Sequence, residues 1–176
     1  MRKNLILLFV LLMVLVTGCT SVVTKDITVD VAADPDVNFG GYRSYAWLGT
    51  ATIVNDEYGQ WEPPAFDADA EIKFLLDREL RDRGMLEDSA VPDLFVAFAA
   101  GIDMDALDLK TNPETKEDIL ANIPQGGLVV VLVDRNTGFV VWTGVATADV
   151  QKNANANTIK ARLDYAVTKM LKKLPR

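Results

Sequence analysis

The chain has 176 residues, no histidine, one cysteine and a formal net charge of −7 at pH 7. Without histidine it cannot hold a Ser-His or Cys-His nucleophile pair, or any zinc site that contains histidine. Its acidic balance argues against nucleic acid as a partner. No motif indicates a metal or a cofactor, and the length suits one domain with one hydrophobic core.

The N-terminal segment combines a basic pair, an apolar run and the one cysteine of the chain. The basic pair Arg2-Lys3 precedes an apolar run over residues 5–16, and the small Gly18 stands directly before Cys19. The apolar run is shorter than the roughly 20 residues that a membrane-spanning helix needs. A cleaved signal peptide with acylation of Cys19 is therefore favoured over a transmembrane anchor.

These features predict the layout of the chain and its place in the cell. We expect a cleaved signal peptide over residues 1–18, a lipidated tether over residues 19–25 and a single periplasmic domain over residues 26–176. Acyl chains on Cys19 would hold the domain at a membrane. Because Thr20 rather than an aspartate follows the cysteine, we expect the periplasmic face of the outer membrane, or the exterior of the cytoplasmic membrane in a cell that has only one.

Two strands are predicted at the start of the domain. Residues 27–31 alternate between apolar and polar side chains, which is the pattern of a half-buried strand. Residues 43–48 form the second strand, with Tyr45 and Trp47 on one face. These two rings could form a ligand platform, but core positions are favoured because each ring buries a large apolar area.

Residues 49–66 are predicted to form a loop that contains a diproline. An exposed Trp61 beside Pro63 and Pro64 could dock a protein partner through a polyproline II segment. Together with Tyr58, these residues are the candidate partner surface. The alternative, in which Trp61 folds back over the edge of the domain, is favoured.

A helix and a central strand come next. Asp67 is a plausible N-cap, and Gly84 suits the position just after the helix end. Apolar residues recur at helical spacing on one face of this segment, at Ile72, Leu75, Leu76 and Leu80. Residues 94–100 are apolar on both faces, which predicts a buried central strand.

Three aspartates follow that strand, at Asp103, Asp105 and Asp108. Carboxylates so close together could bind calcium, but the spacing lacks the glycine and the distal glutamate of an EF-hand loop. A solvated linker is therefore favoured.

The rest of the chain predicts a short helix, a hairpin and a long helix. The short helix covers residues 112–122, with a proline at its first position. Strands over residues 128–133 and 139–146 flank a turn over residues 134–138 that opens with aspartate and closes with glycine. Residues 159–174 carry one apolar stripe and end at a proline, as in an amphipathic helix.

A set of short motifs follows in a fixed order along the chain: Phe39, Tyr42, Tyr45, Trp47, Arg83-Gly84, Pro92-Asp93-Leu94, Gly127-Leu128, Asp134, Thr137-Gly138, Val140-Val141-Trp142, Gly144, Ala146 and Leu174-Pro175. Their order resembles that of a bacterial lipoprotein family known as domain of unknown function 4136. The resemblance covers nearly all of the chain after Cys19, and residues 103–125 match least well. It implies an envelope lipoprotein with no assigned activity, so no catalytic residue is carried over.

We therefore expect an α+β domain, with a mostly antiparallel sheet of about five strands and two long helices packed on one face. The leading functional hypothesis is a lipid-anchored protein that binds an envelope protein or a cell-wall component. A second is a carboxylate-dependent hydrolase or lyase that uses Asp93, Asp103, Asp105 or Asp134. A third is a carrier of a small apolar ligand, which requires a cavity between the helices and the sheet.

Overall fold

The structure is a computed structural model, and it describes residues 22–88, 90–111, 114, 116, 118–151 and 153–176. The predicted signal peptide, Cys19 and the next two residues of the predicted tether lie outside the described residues. Within them, the chain forms an α+β fold with two long helices, as the sequence predicts.

The first half of the chain contributes strands β1 (Thr28–Ala33), β2 (Ser44–Asn55), β3 (Leu86–Glu87) and β4 (Leu94–Asp103), with helix α1 (Ala68–Asp82) between β2 and β3. A short 3-10 helix (Phe39–Gly41) precedes β2. The second half contributes β5 (Leu107–Thr111), β6 (Asp118–Asn122), β7 (Gln125–Asp134), β8 (Val140–Asp149) and helix α2 (Ala156–Lys172).

Six of the described strands form one mixed sheet in the order β1-β8-β7-β4-β2-β3, and β5 pairs with β6 in a separate hairpin. The sheet is antiparallel at β1–β8, β8–β7 and β7–β4, but β2 runs parallel to both β3 and β4. The prediction of about five mostly antiparallel strands is therefore right only in outline. The parallel pairs arise because α1 carries the chain back across the sheet after β2.

Two element predictions are wrong. Strand β2 continues to Asn55, through the first part of the predicted loop, because residues 49–55 pair with residues 97–103 of β4 after a bulge between Trp47 and Gly49. Residues 118–122 are strand β6 rather than the end of a helix. Their pairing with β5 overrides the local helix-start signal.

Helix α1 begins and ends as its sequence predicts, whereas α2 begins three residues before the predicted start and ends two residues before the predicted end. The side chain of Asp67 caps α1 by accepting a hydrogen bond from the backbone N–H of Ala70 at 3.0 Å. Asn155 caps α2 in the same way through Thr158 at 2.9 Å. Gly84 follows α1 with a φ of +82°, in the left-handed region that favours glycine. These caps fix where each helix starts on the sheet.

The core lies between the helices and one face of the sheet. At the end of the sheet where β4 begins, large side chains fill it: Tyr45, Leu94, Leu132 and Trp142. The predicted core position of Tyr45 is confirmed, and its ring packs edge-on against Trp47 at 5.8 Å between centroids. The Trp142 ring lies over Gly144, where a Cβ atom would stand only 2.4 Å from Cη2. We call this the filled end of the core.

Candidate functional site

A cavity of about 800 Å³ lies between the helices and the sheet at the opposite end from Trp142. Its floor is the helix-facing side of the three central strands β4, β7 and β8. The floor residues are Ala100, Ile102, Gly126, Leu128, Ala146 and Ala148. The cavity is therefore apolar at its base.

The cavity exists because the inward side chains become smaller along the strands. At the filled end, Leu132 stands opposite Trp142, whereas at the cavity end Gly126 stands opposite Ala148. The backbone does not require glycine at position 126. Its φ is outside the left-handed region, and a Cβ atom there would only touch Ile102 Cδ1 at 3.5 Å. The missing side chain thus leaves open space rather than relieving a clash.

The walls of the cavity come from the first turns of both helices. Ala68 and Ile72 of α1 face the space from one side, and Ala156, Ile159 and Leu163 of α2 face it from the other. Alanine at the start of each helix keeps the wall thin there, while the longer apolar residues one turn later meet the core. The lining is therefore mainly apolar on three sides.

The roof is the segment between β2 and α1. Asp56 organises it by accepting hydrogen bonds from the backbone N–H groups of Gln60 at 2.9 Å and Trp61 at 2.8 Å. The Trp61 N–H is the main cause that lowers the pKa of the Asp56 carboxyl. At the other end of the roof, the Lys160 ammonium lies 4.9 Å from the centroid of the Phe66 ring. The Asp56 hydrogen bonds shape the segment internally, and the Lys160–Phe66 contact holds it against α2.

The candidate partner surface is divided by the structure. Trp61, Pro63 and Pro64 line the cavity, and Trp61 is half-buried at its rim. Tyr58 is 72% exposed and does not line it. Three of the four residues thus belong to the cavity roof, and recognition of a protein partner by this surface stays a prediction.

Arg162 is the charged group that is most deeply placed at the cavity wall. Its Nη1 donates to Asp26 Oδ1 at 3.0 Å and to the carbonyl of Val23, and its Nη2 donates to Asp26 Oδ2 and to the carbonyl of Asp149 at 3.2 Å. The side chains of Arg162 and Asp26 are only 10% and 20% exposed. The Arg162 hydrogen bond is the main cause that lowers the pKa of Asp26. We call these contacts the Arg162 clamp, which fixes the start of the described chain beside the cavity.

Two of the candidate catalytic carboxylates have structural partners at the filled end. Asp93 Oδ2 accepts the backbone N–H of Arg43 at 2.7 Å, the main cause that lowers the pKa of Asp93. Asp134 Oδ1 accepts a hydrogen bond from the backbone N–H of Thr137 at 2.8 Å, and this bond is the main cause that lowers the pKa of Asp134. Asp134 Oδ2 accepts a hydrogen bond from the Tyr42 hydroxyl at 2.9 Å. Burial and this carboxylate raise the pKa of Tyr42 to about 12. Lowered carboxyl pKa values are the opposite of what a general acid needs.

The other two candidates, Asp103 and Asp105, lie at the cavity end. Asp103 Oδ1 accepts the side-chain amide of Asn55 at 2.9 Å and the backbone N–H of Asp105 at 3.0 Å. They are separated from Asp93 by the length of β4, which is about 30 Å at roughly 3.3 Å per residue. The four carboxylates therefore do not converge on one cleft. Among the described residues, no three acidic or cysteine side chains are grouped closely enough to hold a metal ion.

The sequence predicted three residues of the roof but none of the floor. The floor residues Ala100, Gly126 and Ala148 are small and apolar, and such residues carry no chemical signature. The one available signal was the pair Gly126-Gly127 inside a strand, because glycine there often marks a close approach by a ligand or another backbone. Arg162 was also missed, since its partner Asp26 lies far away in sequence.

The fold and the cavity define a class: a two-layer α+β domain with a mixed sheet, two helices on one face and an apolar cavity between the layers. The chain belongs to the family described as domain of unknown function (DUF4136), whose model matches residues 29–176. A search of curated proteins finds no match. In the part of the chain that the structure describes, no helix is both long enough and apolar enough to cross a membrane.

Two solved structures share the fold. A DUF4136 family protein from Bacteroides thetaiotaomicron superposes with a TM-score of 0.55 at 11% identity, over 85% of this chain and 96% of that one. A PDZ domain protein from Parabacteroides distasonis gives a TM-score of 0.52 at 14% identity over 86% of this chain, which spans 37% of the length of that protein. The PelC dodecamer from Paraburkholderia phytofirmans gives a TM-score of 0.47 at 18% identity, over 82% of this chain and 94% of the PelC chain.

Proposed function

We propose that this protein is a lipid-anchored lipoprotein of the bacterial envelope whose domain binds an apolar ligand in the cavity between the helices and the sheet. The observation that carries the proposal is the cavity itself, with its floor of small apolar residues. A volume of about 800 Å³ lies within the usual range for small-molecule sites. The protein would act as a carrier or as a binding accessory rather than as an enzyme.

The energetics favour a ligand that is itself apolar. Protein interiors are normally close-packed, and apolar surface left in contact with water forfeits roughly 25 cal/mol per Å². An apolar ligand would recover that free energy by displacing water from the floor. The floor residues Ala100, Ala146 and Ala148 offer such a ligand no side-chain hydrogen bonds, so binding would depend on shape and burial.

The enzyme hypothesis has less support. Asp93 and Asp134 already accept several hydrogen bonds each, and the pKa of each is lowered. Asp103 and Asp105 stand at the far end of β4, bonded to neighbouring loop groups. A carboxylate mechanism needs such groups beside the bound substrate, and none of these four carboxylates lines the cavity.

The anchor is part of the proposal. Acyl chains on Cys19 would hold the domain at the periplasmic face of the outer membrane, near envelope proteins and cell-wall material. The six tether residues from Thr20 to Lys25 reach at most about 20 Å at 3.3 to 3.6 Å per residue. Replacing Cys19 with serine should prevent acylation, because a hydroxyl cannot replace the thiolate as the acceptor. If the Cys19→Ser chain still incorporates labelled palmitate and stays membrane-bound, the anchoring proposal is wrong.

Binding in the cavity can be tested with a neutral apolar fluorophore, N-phenyl-1-naphthylamine. The full chain carrying Cys19→Ser serves as the host, because it has no acyl chains of its own. Adding Ala100→Phe should fill the floor and abolish the fluorescence increase. Ala99→Phe is the matched control, since it adds the same ring one residue away on the opposite face of β4. Equal dye binding by the two variants, or none by the host, would refute the proposed function.

A further inference from the structure

Three features of the molecule meet at the cavity end of the sheet. Strand β8 ends there at Asp149, which pairs with Gln125 at the start of β7. The start of the described chain is held there too, because Asp149 N–H donates to Asp26 at 3.1 Å. The β5–β6 hairpin extends from the same end, since it joins the end of β4 to the start of β7.

The Arg162 clamp sets which way the cavity faces relative to the predicted anchor. It binds the carbonyl of Val23 and the side chain of Asp26, and the next cavity-lining residue along the chain is Ile27. Cys19 precedes Val22 by three residues, a reach of about 10 Å at most. An acylated Cys19 would therefore hold this end of the domain, rather than the filled end, close to the bilayer.

From this placement we propose that the cavity takes one acyl chain of a bilayer phospholipid, with the head group left at the mouth. The inference rests on the proposed function and names the ligand class of the same site. The tether holds the cavity beside a reservoir of acyl chains, and a chain that leaves the bilayer exchanges one apolar environment for another. Its transfer avoids the large cost of exposing methylene groups to water, about 0.8 kcal/mol for each.

Charge and hydrogen bonding exclude two other occupants. A free fatty acid would need a cation for its carboxylate inside the cavity, but Arg162, the one cation among the described lining residues, is already paired with Asp26 and two carbonyls. An extended peptide would need a free strand edge. The floor strands β4, β7 and β8 each have neighbours on both sides, so they offer no such edge.

The rim of the cavity end further specifies the lipid. Glu62, Asp69 and Asp149 are among the lining residues, and Arg162, the one cation among the described lining residues, is already paired, so an anionic head group would be repelled. Leu107 and Leu120 of the hairpin are 62% and 64% exposed at the same end, where they can contact the bilayer surface. A zwitterionic phospholipid fits this combination of acidic rim and apolar hairpin.

The test uses the acylated protein in vesicles of phosphatidylcholine and phosphatidylethanolamine that carry a diazirine on one acyl chain. After photolysis, the crosslinked peptides are identified by mass spectrometry. We expect crosslinks on the floor peptides around Ala100, Gly126 and Ala148. Ala100→Phe should abolish them and Ala99→Phe should retain them. A second filling variant, Ala148→Phe, guards against misfolding of the first, and circular dichroism checks that each variant folds.

Each contrary outcome has a distinct meaning. Crosslinks confined to the tether, or equal in Ala100→Phe and Ala99→Phe, would overturn the phospholipid assignment. Floor crosslinks that appear only when Cys19→Ser removes the protein's own acyl chains would show that those chains occupy the cavity, which also overturns it. If the floor binds the naphthylamine dye but never the phospholipid, the proposed function stands and only this inference fails. If neither binds, both fail.

Discussion

Replacing Gly144 with alanine should destabilise the protein far more than the same change at Gly126. Neither glycine has a left-handed backbone, so both sites accept an alanine backbone without strain. The two sites differ in what an added Cβ atom would contact. A Cβ atom at position 144 would stand 2.4 Å from Cη2 of Trp142 and 3.0 Å from two neighbouring ring atoms, whereas one at position 126 would meet Ile102 at 3.5 Å.

The magnitude follows from how far the indole must move. Ordinary carbon contacts are about 3.5 Å or longer, so the Trp142 ring must shift by about 1 Å. Trp142 is 1% exposed, so its ring can shift only against close-packed neighbours. Overpacking of this kind costs about 1 to 3 kcal/mol, and we expect the upper part of that range. Gly126→Ala should instead be neutral or stabilising by up to about 1 kcal/mol, since alanine has less backbone entropy to lose.

Urea unfolding followed by circular dichroism measures both changes, and each kcal/mol should also shift the Tm by roughly 2 to 4 °C. A double-mutant cycle with Trp142→Phe isolates the contact. The smaller ring lacks the clashing atoms, so Gly144→Ala should cost at least about 1 kcal/mol less in that background. Trp142→Phe also removes an indole N–H that is buried without a partner among the described residues. Equal costs at Gly144 and Gly126, or strict additivity in the cycle, would refute the reasoning.

Three further predictions concern the clamp, the anchor and the turn. Asp26→Asn should cost about 2 to 4 kcal/mol, since it leaves Arg162 charged and largely buried. Because the pKa of Asp26 is lowered in the folded protein, its contribution is present above its unfolded value of 3.8 and is lost as pH falls through the folded value. The free energy of unfolding should therefore fall less steeply with decreasing pH in Asp26→Asn than in the wild type. An unchanged dependence on acidic pH would contradict this. Thr20→Asp should retain the protein in the inner membrane on a sucrose gradient, and an unchanged distribution would count against outer-membrane sorting. Tyr42→Phe should lower stability by about 1 kcal/mol through loss of the hydrogen bond to Asp134, as thermal unfolding would show.

The helices and the β7–β8 hairpin could be predicted from the sequence because their signals are local. Asp67 and Gly84 mark the ends of α1 through cap geometry that involves only nearby residues. The hairpin turn is likewise self-contained, since Asp134 accepts hydrogen bonds from residues two and three positions later. Such signals need no knowledge of the rest of the fold. These elements match the structure to within a few residues.

The other elements depend on pairing between distant residues. Residues 49–55 form a strand because β4 offers them a parallel partner about 48 residues away, and no local pattern records that. Residues 118–122 form a strand because β5 pairs with them, although a proline and an asparagine upstream are typical of a helix start. The parallel order around β2 likewise follows from the path of α1 across the sheet. These features follow from strand pairing, which leaves no local signal in the sequence.

The candidate site was predictable only in part. The sequence indicated Trp61, Pro63 and Pro64 because aromatic and proline residues in a loop stand out, and the structure places them on the cavity roof. The floor was not predictable, since it is defined by side chains that are missing rather than present. A cavity requires that small residues from several strands fall in register, as Gly126 and Ala148 do. Register is a property of the whole sheet.

The two inward-facing glycines show why the cavity is a feature of this sequence rather than of the fold alone. At Gly144 the space that a side chain would occupy is filled by the Trp142 ring, so the glycine contributes to close packing. At Gly126 the same space is left open, although an alanine would fit there without strain. Glycine within a strand weakens it by roughly 0.5 to 1 kcal/mol relative to alanine, and open apolar space forfeits further contacts. This chain accepts both costs at one end of its core and packs the other end tightly. It thereby maintains a space that a ligand can fill.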